Sequence, residues 1–222
     1  MIVVGSAKFE FATSASQTQN HTKLDHDPSE IRKCPNLSFT DNNFKGNQRI
    51  NFVLNEDYLK AGKIAAEVRE MVRVKDWIGK TVYEICEEVE NEIKKRGAKC
   101  AFPVNASINE IAAHYTAEPN DPITIKDTDL VKIDLGAQID GYIADTAVTV
   151  CYDAQFDGLV QAAEDALGSA MSMIKTGVKA SDIGRTIETT IKQRGFKPIA
   201  NLSGHSLEQY TIHAGRSIPN IW

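Results

Sequence analysis

Two aspartates are the residues of this chain whose spacing first suggests a metal site. Asp134 and Asp145 flank Asp140-Gly141, a dipeptide typical of the two-residue turn of a β-hairpin. If the turn lies there, Asp145 faces Gly136, and the two carboxylates project from one face of the sheet as diagonal neighbours. Strand interiors disfavour aspartate, so a bound cation would explain the pair. The alternative is an edge hairpin that carries two solvated acids.

Three histidines extend this candidate site: His114, His205 and His213. Histidine is the commonest metal ligand in proteins, and two aspartates with one or two histidines suit Mn, Fe, Co or Zn. Two such ions could activate a water molecule and polarise a carbonyl group, which is the chemistry of amide or ester hydrolysis. The alternative for each histidine is a hydrogen-bonded structural role. Gly204 favours the ligand hypothesis for His205, because glycine permits a close approach of the backbone to a ligand.

Helices must position these residues, and the sequence predicts four of them. Apolar side chains recur at helical spacing from Glu56 to Val72, and a second helix follows Gly79 and ends at Lys94-Lys95-Arg96-Gly97. Two more helical patterns follow Asp153. The first has an apolar face of Leu159, Ala163, Ala166, Leu167, Ala170 and Ile174, and the second one of Ile183, Ile187 and Ile191. With the hairpin at 132–150, this order indicates an α/β (α+β) protein.

The chain also repeats itself with an offset of 98 residues. Residues 79–99 and 177–197 share eight identities in twenty-one positions without a gap, and both segments end in R-G-x-K. An internal duplication explains the fixed offset better than shared capping requirements do. The same offset would place a second carboxylate hairpin near 230–248, so we expect the second half of the fold to be incomplete at Trp222.

Composition narrows the functional class. A net charge of −5 and the lack of a dense basic cluster argue against nucleic acid as a partner. The four cysteines are widely spaced, which indicates no disulfide framework and no zinc knuckle. No apolar segment is long enough for a signal peptide or a membrane span, so we expect a cytoplasmic protein. Residues 1–54 are polar and aperiodic, and we predict that they are disordered or the product of a start assigned too early.

Five motifs occur in order along the chain. They are Asn105-Ala-Ser-Ile-Asn-Glu-Ile-Ala-Ala-His114, Lys132-Ile-Asp-Leu-Gly136, Asp140-Gly-Tyr-Ile-Ala-Asp-Thr-Ala-Val-Thr149, Asn201-Leu-Ser-Gly-His205 and His213-Ala-Gly215. Together, in this order and spacing, they resemble the type II methionine aminopeptidases of the compact archaeal kind. The resemblance extends from about Glu56 to Trp222.

This resemblance implies a duplicated pita-bread fold over 55–222, in agreement with the repeat. It also implies removal of the initiator methionine from nascent proteins by a hydroxide that two divalent ions activate. Matched motif by motif, Asp134, Asp145 and His205 correspond to metal ligands. His114 and His213 correspond to histidines that contact the scissile amide and the tetrahedral intermediate. The implied partner is the N-terminal peptide of a new protein, with the ribosome as a further candidate and a monomer as the expected state.

The family also uses two glutamate ligands that have no match in this sequence. Two dications carry four positive charges, whereas Asp134 and Asp145 supply two negative ones, so we expect weak metal binding and little turnover from this chain. We propose a gene fragment or a disrupted reading frame as the explanation. Two alternatives stay open: an Xaa-Pro dipeptidase of the same fold, and a non-catalytic pita-bread protein that binds the ribosome or a protein partner.

Overall fold

The computed structural model describes residues 55–222. The prediction for residues 1–54 therefore lies outside the described residues. The helices are α1 (Glu56–Val74), α2 (Val82–Lys95), α3 (Asp157–Met173) and α4 (Ala180–Gln193). The strands are β1 (Lys99–Cys100), β2 (Asn105–Ile108), β3 (Leu130–Ile139), β4 (Tyr142–Cys151), β5 (Ser203–His205) and β6 (Ser217–Pro219).

The predicted hairpin is present and is longer than expected. β3 and β4 pair antiparallel along ten residues each, with Ile139 opposite Tyr142 and Gly136 opposite Asp145. Asp140 and Gly141 both have positive φ, at 47° and 81°. A type I′ turn requires positive φ at both central residues, which is why an Asp-Gly dipeptide favours it. The turn therefore sets the register that places both aspartates on one face.

β3 is the centre of a four-stranded sheet. It pairs with β4 on one edge, and with β1 and β2 at different positions along the other. Helix α1 packs on β3 and β4, and α2 packs against α1 and the short strands. The side chains between these helices and the sheet form one buried core, which includes Trp77, Ile85 and Ile133. This core holds the hairpin rigidly, because closely packed interiors resist small displacements.

Helix α2 has complete signals at both ends. Thr81 and Glu84 form a capping box, in which the Thr81 hydroxyl accepts from the Glu84 backbone N–H at 3.1 Å and the Glu84 carboxylate accepts from the Thr81 N–H at 2.8 Å. Lys94 and Lys95 lie in the last turn, where cations interact favourably with the helix dipole. Gly97 follows at a φ of 86°, the left-handed conformation that glycine adopts at little cost.

The three-dimensional repeat follows the 98-residue offset closely. Shifting α2 by 98 residues gives 180–193, which are the bounds of α4. Gly177 and Gly195 have positive φ, as do their counterparts Gly79 and Gly97. Strand β5 begins 98 residues after β2, and a second core of α3, α4 and β6 side chains mirrors the first one. The duplication inferred from sequence is therefore present in the backbone as well.

The predicted apolar face of α3 needs one correction. Its buried residues are Leu159, Ala162, Ala166 and Ala170, whereas Ala163 and Leu167 are only half-buried. Ile174 is exposed, because α3 ends at Met173 and the next residue turns into an extended conformation. The helix is thus rotated slightly from the orientation that its larger side chains suggested.

Cys86 is a free, buried thiol on α2 and belongs to the first core. Burial raises its pKa to about 11, and its thiol donates to the carbonyl oxygen of Val104 at 3.3 Å. Because the thiolate is the reactive form, we expect iodoacetamide at pH 8 to leave Cys86 unmodified in the native protein. Peptide mass analysis should show modification after unfolding in urea. Equal modification rates in both states would contradict the buried position.

Among residues 55–222, the structure contains no helix with the length and apolar content needed to span a bilayer.

Candidate functional site

The β3–β4 hairpin carries the two aspartates of the candidate site. Asp134 lies on β3 and Asp145 on β4, both on the face that also carries Gly136, and their side chains are buried, with 4% and 8% of their surface exposed. Burying a charged group is costly unless an opposite charge or hydrogen bonds compensate it. Two buried carboxylates on one face therefore favour the presence of a cation over the alternative of two solvated acids.

His205 belongs to the second repeat and lies next to Asp145. It is the last residue of β5, and its Nε2 atom lies 3.3 Å from Oδ2 of Asp145. The hydrogen bond to Asp145 raises the pKa of His205 above its usual range, because it favours the charged imidazolium, whereas burial of the ring acts in the opposite direction. The structure thus joins one predicted aspartate and one predicted histidine into a direct pair.

His213 lies beside His205. The two ring centroids are 4.4 Å apart with an angle of 54° between the planes, and His213 is exposed. Backbone hydrogen bonds hold the two segments together: the Ala214 N–H donates to Ser206 at 2.9 Å, and the Ser206 N–H donates to Arg216 at 2.9 Å. These bonds continue the β5–β6 pairing, so both histidines belong to one hairpin of the second repeat.

His114 lies in the segment between β2 and β3. It is exposed, it has a φ of 65°, and with Asp134 it lines a cavity of about 380 Å³. A non-glycine residue with positive φ is uncommon, and such residues cluster at functional sites. Ser107 fixes the segment, because its hydroxyl accepts from the N–H of Tyr115 at 3.3 Å. The same cavity is lined by Lys132, Arg69 and Arg73, and by Glu164, which forms an ion pair with Arg73.

The donor chemistry at the Asp145–His205 pair fits a divalent metal ion. Nε2 of His205 and Oδ2 of Asp145 are 3.3 Å apart, so both atoms could bind one ion, and imidazole nitrogen with carboxylate oxygen is a ligand set that Zn and related metals accept. Within residues 55–222, however, no three His, Cys, Asp or Glu side chains are already arranged around a common ion position. The described residues therefore supply two candidate ligands in contact, Asp145 and His205, and Asp134 lies on the same sheet face as Asp145.

Phe102 is a neighbour of the site that the sequence did not reveal. A Cβ atom placed on Gly136 would lie 2.3 Å from the Phe102 ring, and the Ala101 N–H donates to the Gly136 carbonyl at 2.9 Å. Gly136 thus lets an aromatic ring lie directly on the sheet beside Asp134 and Asp145. The absence of a side chain opposite Asp145 was visible in the sequence, but the identity of the residue that fills the space was not.

This contact gives a testable coupling. Gly136→Ala should destabilise the protein by about 1–3 kcal/mol, because the added methyl group overpacks the space that the Phe102 ring occupies. In Gly136→Ala/Phe102→Ala the second substitution removes the ring, so the measured loss should be smaller than the sum of the two single losses. Urea unfolding of the four proteins measures the coupling. Additive losses would contradict the contact.

A sequence profile described as metallopeptidase family M24 matches residues 56–222. The chain belongs to this family. Among its relatives, a methionine aminopeptidase of Pyrococcus abyssi is 52% identical over 164 residues, which are 74% of this chain and 56% of the relative. The chain therefore spans little more than half the length of that M24 relative.

Solved structures agree with the family assignment. A methionine aminopeptidase of Thermotoga maritima superimposes with a TM-score of 0.68 at 29% identity, covering 76% of this chain and 72% of that one. A prolidase of Pyrococcus furiosus gives a TM-score of 0.63 at 25% identity, covering 74% and 50%. The expected pita-bread fold is thereby confirmed. Membership of a metallopeptidase family implies a site for divalent metal ions.

Proposed function

We propose that this protein is a metal-dependent aminopeptidase that removes the N-terminal methionine from nascent proteins. The observation that carries the proposal is the 3.3 Å contact between Nε2 of His205 and Oδ2 of Asp145, on the face that also holds Asp134. Identity of 52% to a methionine aminopeptidase supports the choice of substrate. Prolidases of the same fold are more distant relatives, at 25% identity for the Pyrococcus furiosus structure.

In this proposal Asp134, Asp145 and His205 hold two divalent metal ions, which can be Co, Mn, Fe or Zn. When bound, such ions lower the pKa of a water molecule and polarise the peptide carbonyl. In the metal-free protein, the contact between Nε2 of His205 and Oδ2 of Asp145 holds the imidazole ring beside the carboxylate. The metal-binding form of His205 is neutral, so an ion must displace the proton that Asp145 favours on this ring.

The two remaining histidines act on the substrate. His213 lies 4.4 Å from His205, ring centre to ring centre, and is exposed, so its imidazole can donate a hydrogen bond to the oxygen on which charge develops. His114 lines the cavity together with Asp134, and in this proposal it contacts the nitrogen of the scissile bond. Phe102 offers the apolar surface beside the carboxylates, which suits the unbranched thioether side chain of methionine.

The proposed partner is the N-terminal segment of a protein during synthesis, which places the activity in the cytoplasm and close to the ribosome. A monomer is the proposed state. Because the two aspartates provide only two negative charges against the four of two dications, we expect the 222-residue chain to bind metal weakly and to turn over slowly.

Cobalt binding and peptide cleavage test the proposal together. Titration of the unaltered protein with Co²⁺ should produce a visible absorption band. We expect Asp145→Asn to lose this band. The control Asp127→Asn, in an exposed turn, should retain it. Methionine released from a Met-Gly peptide should be low, dependent on Co²⁺ and abolished by EDTA. Cleavage of an Xaa-Pro dipeptide in preference to Met-Gly would favour the prolidase alternative. No Co²⁺ binding and no cleavage in the unaltered protein would overturn the proposal and favour a non-catalytic binding protein.

A further inference from the structure

The two hairpins that carry the proposed metal ligands touch at their tips. One is the β3–β4 hairpin, whose tip is the Asp140–Gly141 turn. The other, which we call the histidine hairpin, comprises residues 203–219 and carries His205 and His213. Its tip is closed by a mutual pair of hydrogen bonds between Glu208 and Thr211, each 3.0 Å long. The two residues between them, Gln209 and Tyr210, are the outermost part of the loop.

Three hydrogen bonds join the tips. The backbone N–H of Tyr210 donates to the carbonyl oxygen of Gly141 at 2.8 Å. The Tyr210 hydroxyl donates to Oδ1 of Asp140 at 2.9 Å, and the Gln209 side-chain amide donates to the Asp140 carbonyl oxygen at 2.8 Å. The contact involves both backbone and side chains of the turn, and its acceptors include the charged Asp140 carboxylate. Hydrogen bonds to ionised acceptors are among the strongest in proteins.

The Tyr210 ring also packs closely against the turn. A Cβ atom on Gly141 would lie 2.5 Å from the ring of Tyr210, so the ring rests directly on the turn backbone. Tyr210 itself has a φ of 58°, a strained conformation for a residue with a bulky side chain. Strain of this kind persists where the surrounding contacts hold the residue in place. Yet 68% of the Tyr210 surface is exposed, so burial in a core does not account for its conformation.

We infer that Tyr210 and the Asp140–Gly141 turn form a tip lock that holds His205 against Asp145. Asp145 lies four residues after Gly141 on one hairpin, and His205 lies five residues before Tyr210 on the other. Both distances along the chain are short. The first runs along β4, and the second runs through a loop that the hydrogen bonds of Ser206 and Glu208 hold together, so the tip contact fixes one end of each hairpin relative to the other. Tyr210 is therefore a positioning residue, which touches neither substrate nor metal.

The tip lock can align proposed ligands that lie on two separate sheets. The histidine hairpin belongs to a separate two-stranded sheet, whereas Asp134 and Asp145 belong to the four-stranded one. Ligands on separate sheets must be aligned to within a fraction of an ångström for a metal to bind tightly. Neighbours that orient metal ligands typically contribute about 10–100-fold to metal affinity. This inference rests on the proposed function only in taking Asp145 and His205 as ligands.

The test compares substitutions that open the lock with one that strains the backbone elsewhere. Tyr210→Ala removes the ring and the hydroxyl, and Tyr210→Phe removes the hydroxyl alone. Gly141→Ala directs a methyl group into the Tyr210 ring. Its matched control is Gly97→Ala, also at positive φ but with no atom within 4 Å of the added methyl group. Each protein is examined by Co²⁺ titration, by hydrogen exchange of residues 206–214 without metal, and by thermal unfolding.

We expect Tyr210→Ala and Gly141→Ala to bind Co²⁺ about tenfold or more weakly than the unaltered protein, with faster exchange across residues 206–214. Tyr210→Phe should fall between, and Gly97→Ala should lower the melting temperature without changing either the affinity or the exchange. Unchanged Co²⁺ affinity in Tyr210→Ala and Gly141→Ala would overturn the inference, as would an equal loss in Gly97→Ala.

The exchange measurement separates this inference from the proposed function. If the unaltered protein binds no Co²⁺, the metal site fails, and exchange alone decides the lock. Faster exchange of residues 206–214 in Tyr210→Ala and Gly141→Ala, but not in Gly97→Ala, then supports the tip lock. Equal exchange in the unaltered protein and in these three variants overturns it.

Discussion

Asp134→Asn is expected to stabilise the metal-free protein and to abolish its stabilisation by cobalt. Asp134 is 4% exposed and shares a sheet face with Asp145, which is 8% exposed. Neutralising one carboxylate removes a desolvation cost and a like-charge repulsion. In EDTA we therefore expect a gain of about 1 kcal/mol, which corresponds to a melting temperature higher by about 2–4 °C.

Cobalt should reverse the order of the two proteins. At a Co²⁺ concentration about 100 times the dissociation constant, the unaltered protein should gain about 2.7 kcal/mol. This gain corresponds to a rise in melting temperature of about 5–10 °C. Asp134→Asn loses a charged ligand and should show little rise. Differential scanning calorimetry with EDTA and with Co²⁺ measures both effects, and Asp127→Asn, in an exposed turn, is the control. A variant that loses stability in EDTA would show that Asp134 has a structural rather than a metal-binding role.

Trp77→Ala should have the largest effect on stability. Trp77 is fully buried in the first core, and its Nε1–H donates to the carbonyl oxygen of Val72 at 3.0 Å. Its backbone N–H donates to the Tyr152 hydroxyl at 2.7 Å, which connects the end of α1 to the end of β4. Removing a buried tryptophan side chain costs about 3–5 kcal/mol, a large part of a total stability of about 5–15 kcal/mol.

The second tryptophan provides the control for this prediction. Trp222 is 70% exposed, and its ring lies under the guanidinium group of Arg185. Surface substitutions of this kind usually change stability by less than about 0.5 kcal/mol. Urea unfolding of Trp77→Ala and Trp222→Ala should therefore give well-separated midpoints. Similar midpoints would contradict the assignment of Trp77 to the core that supports the hairpin.

Local rules were sufficient for the secondary structure. The Asp140-Gly141 dipeptide determined the hairpin register because a two-residue turn accepts few other conformations, and the observed pairing of Gly136 with Asp145 follows from it. The Lys192-Gln193-Arg194-Gly195 segment predicted where α4 ends, because a cation followed by glycine stops a helix here as it does at the end of α2. The orientation of α3 escaped prediction, since alanine and leucine positions around that helix offered two similar apolar faces and tertiary packing selected one.

The same distinction between local and long-range interactions applies to the candidate site. Asp134 and Asp145 could be paired from sequence, because the period of a strand and a tight turn decide which residues share a face. The contact of His205 with Asp145 joins residues from two repeats and two sheets, and no local rule predicts its 3.3 Å distance. Phe102 and Tyr210 were missed for the same reason: each fills the space over a glycine, Gly136 or Gly141, that is distant in sequence or on another element.

The sequence by itself determined that two aspartates project from one face of a hairpin, that the fold is duplicated, and which histidines are candidates. These properties depend on turn chemistry, side-chain periodicity and identity between segments, all of which are local. Only the tertiary structure decided that His205 contacts Asp145, that His213 lies beside His205, and that Tyr210 contacts the turn at Asp140. Such contacts arise when two separately folded hairpins pack together, and the packing depends on the shapes of both surfaces at once.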